Sequence, residues 1–269
     1  MKKKVLSVLL CVSMAAAMLA GCGSKETAAE APAETEAPAE APAEEAEETE
    51  KETLVMGTNA EFPPYEYHEG QEIVGIDAEM AAAVAEKLGM ELKIEDMAFD
   101  SLIPALSSGK VDIVAAGMTV TEDRLKNVNF SDSYATATQV IIVKADSDIA
   151  GVDDLTGKKI GVQLGTTGDI FASDIEGASI EQYNKGMEAV QSLSQGKIDA
   201  VIIDSEPAKV FVEEVEGLQI LEEAFVTEEY AIAIAKDNEE LLGKVNTALE
   251  ELEADGTLKT IIDKYITAE

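Results

Sequence analysis

Short apolar runs alternate along the chain with segments whose apolar residues recur at helical spacing. Leu54–Asn59 and Val111–Ala116 have the length and the mainly apolar character of buried strands. Between them, every fourth residue from Ile76 to Leu88 is apolar, which predicts a helix with Asp77 as its N-cap. Strands that alternate with helices in this way predict an α/β fold with parallel strands.

One twelve-residue pattern occurs twice. Leu106–Gly117 reads LSSGKVDIVAAG, and Leu193–Asp204 reads LSQGKIDAVIID. Each copy contains a helix end, a glycine, a lysine and a buried strand, so the register places Gly117 and Asp204 at equivalent strand ends. Two similar α/β lobes are therefore expected, and ligands of such sheets bind beyond the carboxyl ends of the strands.

Two further apolar segments are expected to connect these lobes. Phe130–Lys144 is long enough to run from the first lobe into the second, and Glu228–Lys236 has matching character and returns. Two strands that cross between lobes would form a hinge.

The segment Gly117–Arg124, GMTVTEDR, contains the only arginine of the 269 residues. The guanidinium of Arg124 is a planar fork that suits bidentate contact with a carboxylate or phosphate. Thr121 is expected to cap a short helix here, and Thr119 offers a hydroxyl group. From this segment alone, a carboxylate-binding arginine and a surface ion pair are equally favoured.

Other candidate ligand contacts follow predicted strands. Lys158–Asp169 indicates a strand, a tight turn with Thr166 and Thr167, and the start of a helix, where hydroxyl and N–H groups suit a carboxylate. A routine connection in a parallel sheet is the alternative, and it is favoured when this segment is taken alone. Phe62 and Phe99 also follow strands, with ordinary core packing as their alternative.

The first 52 residues are expected to lie outside the folded part. A basic start followed by the apolar run Val5–Leu19 indicates a signal peptide over residues 1–21, because the run is short for a transmembrane helix. Leu19–Cys22 resembles a bacterial lipobox, which implies lipidation of Cys22. Residues 22–52, rich in Ala, Glu and Pro, are expected to form an extended tether.

Composition restricts the chemistry. The formal net charge of −34 excludes nucleic acid as a partner, because such a surface repels phosphate. Cys11 lies in the predicted signal peptide and Cys22 is the predicted lipid site, so no intramolecular disulfide is expected. The only histidine, His68, lies in a polar segment and is expected to be exposed, which argues against Ser-His triads and His-based metal sites.

Seven segments carry a family resemblance when they are taken in order: FPPYEY, GIDAEMAAAVAEKLG, FDSLIPALSSGKVDIVAAGMTVTEDR, FSDSY, KKIGVQLGTT, GKIDAVIID and ADGTLKTIIDKY. From Thr53 to Ile266 they resemble the substrate-binding lipoproteins of polar amino-acid ABC transporters, bacterial extracellular solute-binding protein family 3. The resemblance implies a two-lobed α/β fold, the type II periplasmic-binding-protein fold, with two Rossmann-like lobes joined by a two-strand hinge. Lobe 1 is expected over residues 53–136 and 231–269, and lobe 2 over residues 137–230.

The resemblance also implies how a ligand's α-carboxylate is held. Arg124 matches the arginine that grips this group in the family. Gly117 and Thr119 match its neighbours in lobe 1. Thr166 and Thr167 match the turn that donates hydrogen bonds from lobe 2.

The remaining ligand contacts are implied in the same way. Asp204 matches the acid that receives the α-ammonium group, and Phe62 and Phe99 match the walls that sandwich the ligand side chain. Asn59 stands where members selective for basic amino acids often carry aspartate, which favours a neutral polar ligand such as glutamine. Three further residues line the matching pocket: Ala116, Met118 and Gln163.

These features together predict an exported lipoprotein that captures a polar amino acid and delivers it to an ABC importer, a permease with its ATPase. We expect it to be a monomer without cofactor or metal, anchored by lipid to the outer face of the cell membrane or to a membrane that faces the periplasm. An extracytoplasmic enzyme on the same fold, similar to cyclohexadienyl dehydratase, is the alternative. A sensor domain is less favoured because no signalling module is apparent in the sequence.

Overall fold

Twelve β-strands and eight α-helices are present in residues 52–221 and 226–266, which the computed structural model describes. The predicted signal peptide, Cys22 and the predicted tether up to residue 51 lie outside the described residues. Within the described part, no helix has the length and apolar character needed to cross a bilayer.

The elements up to the first long strand follow in this order: β1 (Thr53–Thr58), β2 (Glu61–Phe62), β3 (Glu66–Glu69), β4 (Glu72–Val74), α1 (Ile76–Leu88), β5 (Glu91–Asp96), α2 (Leu102–Ser107), β6 (Ile113–Val114), α3 (Glu122–Leu125) and β7 (Val128–Lys144). The later elements are β8 (Lys159–Gln163), α4 (Thr167–Ser173), β9 (Ser179–Tyr183), α5 (Gly186–Ser194), β10 (Ala200–Asp204), α6 (Ser205–Glu214), β11 (Leu218–Ile220), β12 (Val226–Ala235), α7 (Glu239–Ala254) and α8 (Thr257–Tyr265).

The main sheet has two similar halves on either side of a central antiparallel pair. Its strand order is β5-β1-β6-β12-β7-β10-β8-β9, with β11 also paired to β7. In the first half β1 is parallel to β5 and β6, and in the second half β8 is parallel to β9 and β10. The predicted α/β fold with two lobes is confirmed. We call these the first and second halves below.

The two copies of the sequence repeat occupy equivalent places in these halves. β6 is the strand of the first half that pairs with β12, and β10 is the strand of the second half that pairs with β7. Gly117 therefore follows β6, and Asp204 is the last residue of β10; both strands lie beside the central pair. β6 spans only Ile113–Val114 and is shorter than predicted, although the N–H of Ala115 still donates to the backbone oxygen of Gly57 in β1 at 3.2 Å.

The central strands β7 and β12 run through both halves, as expected for a hinge. Their pairing is regular between Gln139/Val226 and Ala135/Tyr230 and then shifts register between Tyr230 and Ala233. The predicted lobe boundaries, at residues 136/137 and 230/231, lie next to this irregularity. The exact boundaries stay a prediction.

The start of α1 differs from the prediction. The helix begins at Ile76 with Gly75 in the cap position, so the prediction that Asp77 is the N-cap is wrong. Asp77 is instead fully buried, and its Oδ2 accepts hydrogen bonds from the N–H of Gly117 and the hydroxyl of Tyr134, both at 2.8 Å. The acid that was expected to cap a helix thus connects α1 to the loop after β6.

Gly75 is required by this helix entry. Its φ of 120° and ψ of 177° lie in a region that is essentially restricted to glycine. A Cβ there would lie 2.3 Å from the backbone oxygen of Tyr65, and backbone cannot move aside as a flexible side chain can.

We predict that Gly75→Ala lowers the free energy of unfolding by more than about 3 kcal/mol, since backbone strain and a backbone clash add. Gly89→Ala is the matched control at the other end of α1, where φ is 71° and no atom lies within 4 Å of the added Cβ. It should cost only about 1 kcal/mol. Urea unfolding of both variants measures the difference, and equal costs would contradict the argument.

Candidate functional site

The loops beyond the carboxyl ends of β1, β5, β6, β8 and β10 meet around a small cavity. Both halves of the sheet contribute walls. Eleven of the twelve residues predicted to bind a ligand line it: Asn59, Phe62, Phe99, Ala116, Gly117, Thr119, Arg124, Gln163, Thr166, Thr167 and Asp204. Among the described residues, Glu66 is the one other residue that lines the cavity, and it was not predicted.

Met118 is the predicted residue that the structure does not bring to the cavity. Its side chain is 1% exposed and packs in a hydrophobic cluster with Phe99, Leu102 and Leu106. Its backbone oxygen accepts a hydrogen bond from the N–H of Ala231 in β12 at 3.2 Å. Met118 thus supports the cavity wall from behind.

Arg124 is buried, with 8% of the residue exposed. Thr121 Oγ1 accepts a hydrogen bond from the Arg124 backbone N–H at 3.2 Å, which confirms the predicted N-cap of α3. The guanidinium donates to the backbone oxygens of Thr119 at 2.7 Å and Gly165 at 3.0 Å, and it lies 5.3 Å from the ring centre of Phe99. It has five N–H donors, so these two bonds leave donors for a further acceptor.

The surface ion pair considered for Arg124 is not present. None of the ion pairs found in residues 52–221 and 226–266 includes it. Burial lowers the pKa of its guanidinium, while the nearby charges of Glu228 and Asp204 act in the opposite direction. The cavity therefore has a cationic wall.

Three contacts among the described residues join the first half to the second, two of them at the cavity and one near the surface. Arg124 donates to Gly165, as described above. The side-chain amide of Gln163 donates to Oδ1 of Asn59 at 2.8 Å, and Lys185 forms an ion pair with Glu61. These contacts hold the two walls together in a closed arrangement.

Asn59 is fixed at both ends of its amide. Its Nδ2 donates to the backbone oxygen of Met97 at 3.0 Å, so its Oδ1 must be the acceptor for Gln163. An asparagine supplies this donor and acceptor together, whereas an aspartate at the same position would lose the bond to Met97. The amide of Asn59 therefore belongs to the contact between the halves as well as to the cavity wall.

Glu228 in β12 joins the two halves through hydrogen bonds and was not predicted. Its Oε2 accepts from Thr119 Oγ1 at 3.0 Å, from Gln139 Nε2 at 3.0 Å and from Thr167 Oγ1 at 2.9 Å. Glu228 alternates with Tyr230 on the buried face of β12, and this alternation in TEEYAIAIA is a signal that sequence reasoning missed. The hydroxyl protons of both threonines point to a protein carboxylate in this structure.

Asp204 is the acid at the end of β10 and is 6% exposed. Its Oδ1 accepts a hydrogen bond from the hydroxyl of Tyr230. Burial raises the pKa of Asp204 to about 7; the charge of Glu228 also raises it, while hydrogen bonds from Tyr230 and Gln139 oppose the shift. Because this pKa lies close to neutral pH, a cation placed beside Asp204 strongly favours its ionised form.

Glu66 begins β3 and is fully buried. Neither of its carboxyl oxygens has an N–H or O–H donor among the described residues. Burial, followed by the charge of the neighbouring Asp77, raises the pKa of Glu66 well above its usual range. Nothing in the polar sequence EYHEGQE signals that its first residue is buried, because tertiary packing rather than the local sequence removes it from water.

The described part of the chain gives little support for a metal site or for histidine-based catalysis. It contains no group of three or more His, Cys, Asp or Glu side chains that could hold a metal ion. His68 lies in β3 with 42% of its side chain exposed, and it pairs with Asp96 at 3.0 Å. It is not among the residues that line the cavity.

Comparison with known proteins gives a consistent result. Residues 54–268 match the family model of bacterial extracellular solute-binding proteins, family 3. The arginine-binding extracellular protein ArtP of Bacillus subtilis (strain 168) is 41% identical over 225 residues, which cover 81% of this chain and 88% of that protein.

Solved structures give the same fold. An ancestral arginine-binding protein bound to arginine is 44% identical, with a TM-score of 0.77, and the match covers 81% of this chain and 99% of that one. The same kind of protein bound to glutamine is 42% identical, with a TM-score of 0.75, covering 80% and 98%. The ancestral amino acid-binding protein AncCDT-1, a precursor of cyclohexadienyl dehydratase, is 36% identical, with a TM-score of 0.74, covering 79% and 95%.

We predict that Glu228→Ala lowers the free energy of unfolding of the ligand-free protein by about 2 to 4 kcal/mol. Three buried donors lose a charged acceptor, and relief of the repulsion with Asp204 offsets only part of this loss. Glu229→Ala, at the next and exposed position of β12, is the control and should change stability by less than about 0.5 kcal/mol. Urea unfolding tests both, and a neutral Glu228→Ala would show that the network does not stabilise the closed arrangement.

Proposed function

This chain belongs to the bacterial extracellular solute-binding proteins of family 3, and we propose that it captures a polar amino acid between its two halves for delivery to an ABC importer. The observation that carries the proposal is the pairing of Arg124, from the first half, with Asp204, from the second, in one buried cavity. A zwitterion needs one cationic and one anionic partner, and these two side chains provide them.

Recognition of the α-amino acid group follows from this pairing. The α-carboxylate binds the free N–H donors of Arg124, and the α-ammonium binds Asp204. Because both partners are shielded from water, these charge-assisted hydrogen bonds are stronger than they would be at the surface. The backbone N–H groups of Thr119 and Thr167 complete the carboxylate site, since the hydroxyl protons of these residues point to Glu228.

Capture depends on movement about the central strands. β7 and β12 are the long strands that run through both halves, and the register shift after Tyr230 lies within them. A ligand that contacts Arg124 on one wall and Asp204 on the other favours the closed arrangement, because the open arrangement offers only one of these contacts. The permease then distinguishes loaded from empty protein by this closure.

The preferred ligand, we propose, is arginine. Phe62 and Phe99 offer aromatic faces, which attract a planar guanidinium. Glu66 offers buried carboxyl oxygens that have no donor in the described part of the chain, and a guanidinium would supply two. The arginine-binding relative of Bacillus subtilis and the arginine complex of the ancestral protein support this choice.

Glutamine is the second candidate, and it remains the prediction made from Asn59. Asn59 and Gln163 offer amide groups that suit a neutral polar side chain, and the glutamine complex of a similar protein supports it. The two candidates differ in whether the ligand side chain carries a charge that Glu66 can meet.

Export and anchoring complete the proposal. The family description as extracellular supports export, and the lipobox supports lipidation of Cys22, a position outside the described residues. We propose a monomeric protein held to the outer face of the membrane by lipid. The enzyme alternative has less support because the similar proteins named above are binding proteins; turnover of prephenate or arogenate would establish it.

We predict that arginine gives the largest rise in melting temperature in a screen of the twenty amino acids, with glutamine next. Titration calorimetry on the strongest ligands then ranks their affinities. Tighter binding of glutamine than of arginine would favour the prediction from Asn59, and no shift with any amino acid would contradict the proposed function.

We predict that Arg124→Ala weakens amino-acid binding at least about 100-fold, because a buried carboxylate loses its cationic partner. Lys126→Ala is the matched control. Lys126 is also cationic and lies two residues later, but 71% of its side chain is exposed. Its replacement should change the affinity by less than about twofold. Calorimetry that finds Arg124→Ala close to wild type would exclude the proposed role of Arg124.

A further inference from the structure

Two buried acids lie side by side at the cavity wall. Glu66 and Asp77 are both fully buried, and the negative charge of Asp77 acts on Glu66. Asp77 Oδ2 has two donors, the N–H of Gly117 and the hydroxyl of Tyr134. Asp77 Oδ1 and both oxygens of Glu66 have no donor from the described residues.

Two ionised carboxylates that are buried near each other repel strongly, and burial without hydrogen-bond donors disfavours the charged form further. A buried pair of this kind therefore keeps a proton on one of its members. A neutral carboxyl group tolerates the lack of donors better than a carboxylate does, which agrees with the three unpartnered oxygens. The pair therefore carries one negative charge in the ligand-free protein.

The proton belongs to Glu66 and the charge to Asp77. Asp77 has its two donors and lies in the first turn of α1, where the helix dipole favours a negative charge. Burial raises the pKa of Asp77 to about 6, with the bonds from Gly117 and Tyr134 opposing the shift. The pKa of Glu66, which has no such donors, is raised well above its usual range, first by burial and then by Asp77.

The other ionisable groups that act on Glu66 do not favour its ionisation. Asp204 from β10 and Asp96 from β5 add negative charge. Tyr65, beside Glu66 in sequence, and Tyr134 in β7 are neutral phenols whose pKa values are raised by burial. Within the described part of the chain, no cationic side chain is among the largest influences on the pKa of Glu66, although Arg124 lines the same cavity.

Glu66 is the member of the pair that a ligand can reach, because it lines the cavity whereas Asp77 does not. We propose that Glu66 releases its proton when a cationic ligand side chain enters, so that binding of arginine is coupled to loss of a proton that a neutral ligand does not displace. The inference rests on the proposed function and adds a specificity device to it. Asp77 acts as a positioning residue. It carries the negative charge near Glu66, and it holds the backbone of Gly117 through a hydrogen bond.

The balance of the step is simple. The O–H bond of the Glu66 carboxyl breaks, and its proton leaves to solvent. The ligand guanidinium stays protonated and donates two N–H bonds to the carboxylate that forms. The net charge of the site is unchanged, because one cation replaces one proton.

Asp204 also contributes to proton release on ligand binding, because its pKa is about 7. An α-ammonium group beside it releases a fraction of a proton at neutral pH, whichever amino acid binds. The difference between two ligands that share the α-amino acid group therefore isolates Glu66. Arginine and citrulline form such a pair, since citrulline has the same length and a neutral urea end.

The direction of the pH dependence follows. A bound cation lowers the pKa of Glu66, so arginine binding releases a proton and is opposed by acid. The affinity for arginine relative to citrulline should rise with pH, at up to about tenfold per pH unit, until Glu66 is ionised in the free protein as well. Above that pH the ratio should be constant.

The test is titration calorimetry at pH 7 in phosphate and in Tris, whose unlike ionisation enthalpies reveal the number of protons released. Arginine should release about one proton more than citrulline. Glu66→Gln should abolish this difference and weaken arginine more than citrulline. Glu69→Gln, at an exposed position of the same strand, should leave the proton count unchanged.

The outcomes separate this inference from the proposed function. Arginine binding with the same proton release as citrulline would overturn the inference and leave the proposed function intact. Failure of arginine to bind would overturn both the inference and the choice of arginine. The pH dependence of the arginine-to-citrulline affinity ratio in the wild-type protein gives a second measurement if Glu66→Gln does not fold, and a flat ratio from pH 5 to 8 would also overturn the inference.

Discussion

The guanidinium of Arg124 is removed from water at the place where the two halves of the sheet meet. Burying a charge is costly unless it is paired or fully hydrogen-bonded, and here two backbone oxygens, one from each half, supply part of what water would have supplied. The closed arrangement therefore depends on both halves at once. Separation of the halves removes the bond to Gly165 and returns the guanidinium to solvent.

The charges around the cavity are unequal. Among the described residues that line it, Arg124 is the cation and Glu66 and Asp204 are acids. Two further acids, Asp77 and Glu228, contact residues of the cavity wall. Burial is the first cause of the raised pKa values of Glu66, Asp77 and Asp204, and the charges of neighbouring acids raise those of Glu66 and Asp204 further. A ligand that brings positive charge relieves this repulsion, which is a physical reason for a cationic amino acid to bind more tightly than a neutral one.

The central strands connect these charged groups. Glu228 lies on β12, and one of its carboxylate oxygens, Oε2, accepts hydrogen bonds from a threonine of each half and from Gln139 of β7. The residues that move with each half are thus bonded to the strands that connect them. Such an arrangement links the position of one wall to that of the other through the central strands, in addition to the direct contacts between the walls. A ligand that repositions Thr119 or Thr167 therefore acts on the hinge directly.

Sequence alone determined the α/β class, the internal repeat and most of the cavity wall. Apolar runs and helical spacing depend on local burial, which is written in the order of residues, and the repeat identified Gly117 and Asp204 as equivalent strand ends. The cap at Thr121 was also predicted, because its hydrogen bond closes within three residues. The tertiary structure decided what depends on distant neighbours. Asp77 looked like a helix cap but is a buried acceptor for residues 40 and 57 positions away; Met118 looked like a pocket residue but packs behind the wall. Glu66 and Glu228 carried no signal strong enough to be chosen among the 54 acidic residues of the chain. A carboxylate acquires its unusual chemistry from the water that packing removes and from the charges that folding brings beside it, and neither is present in the linear chain.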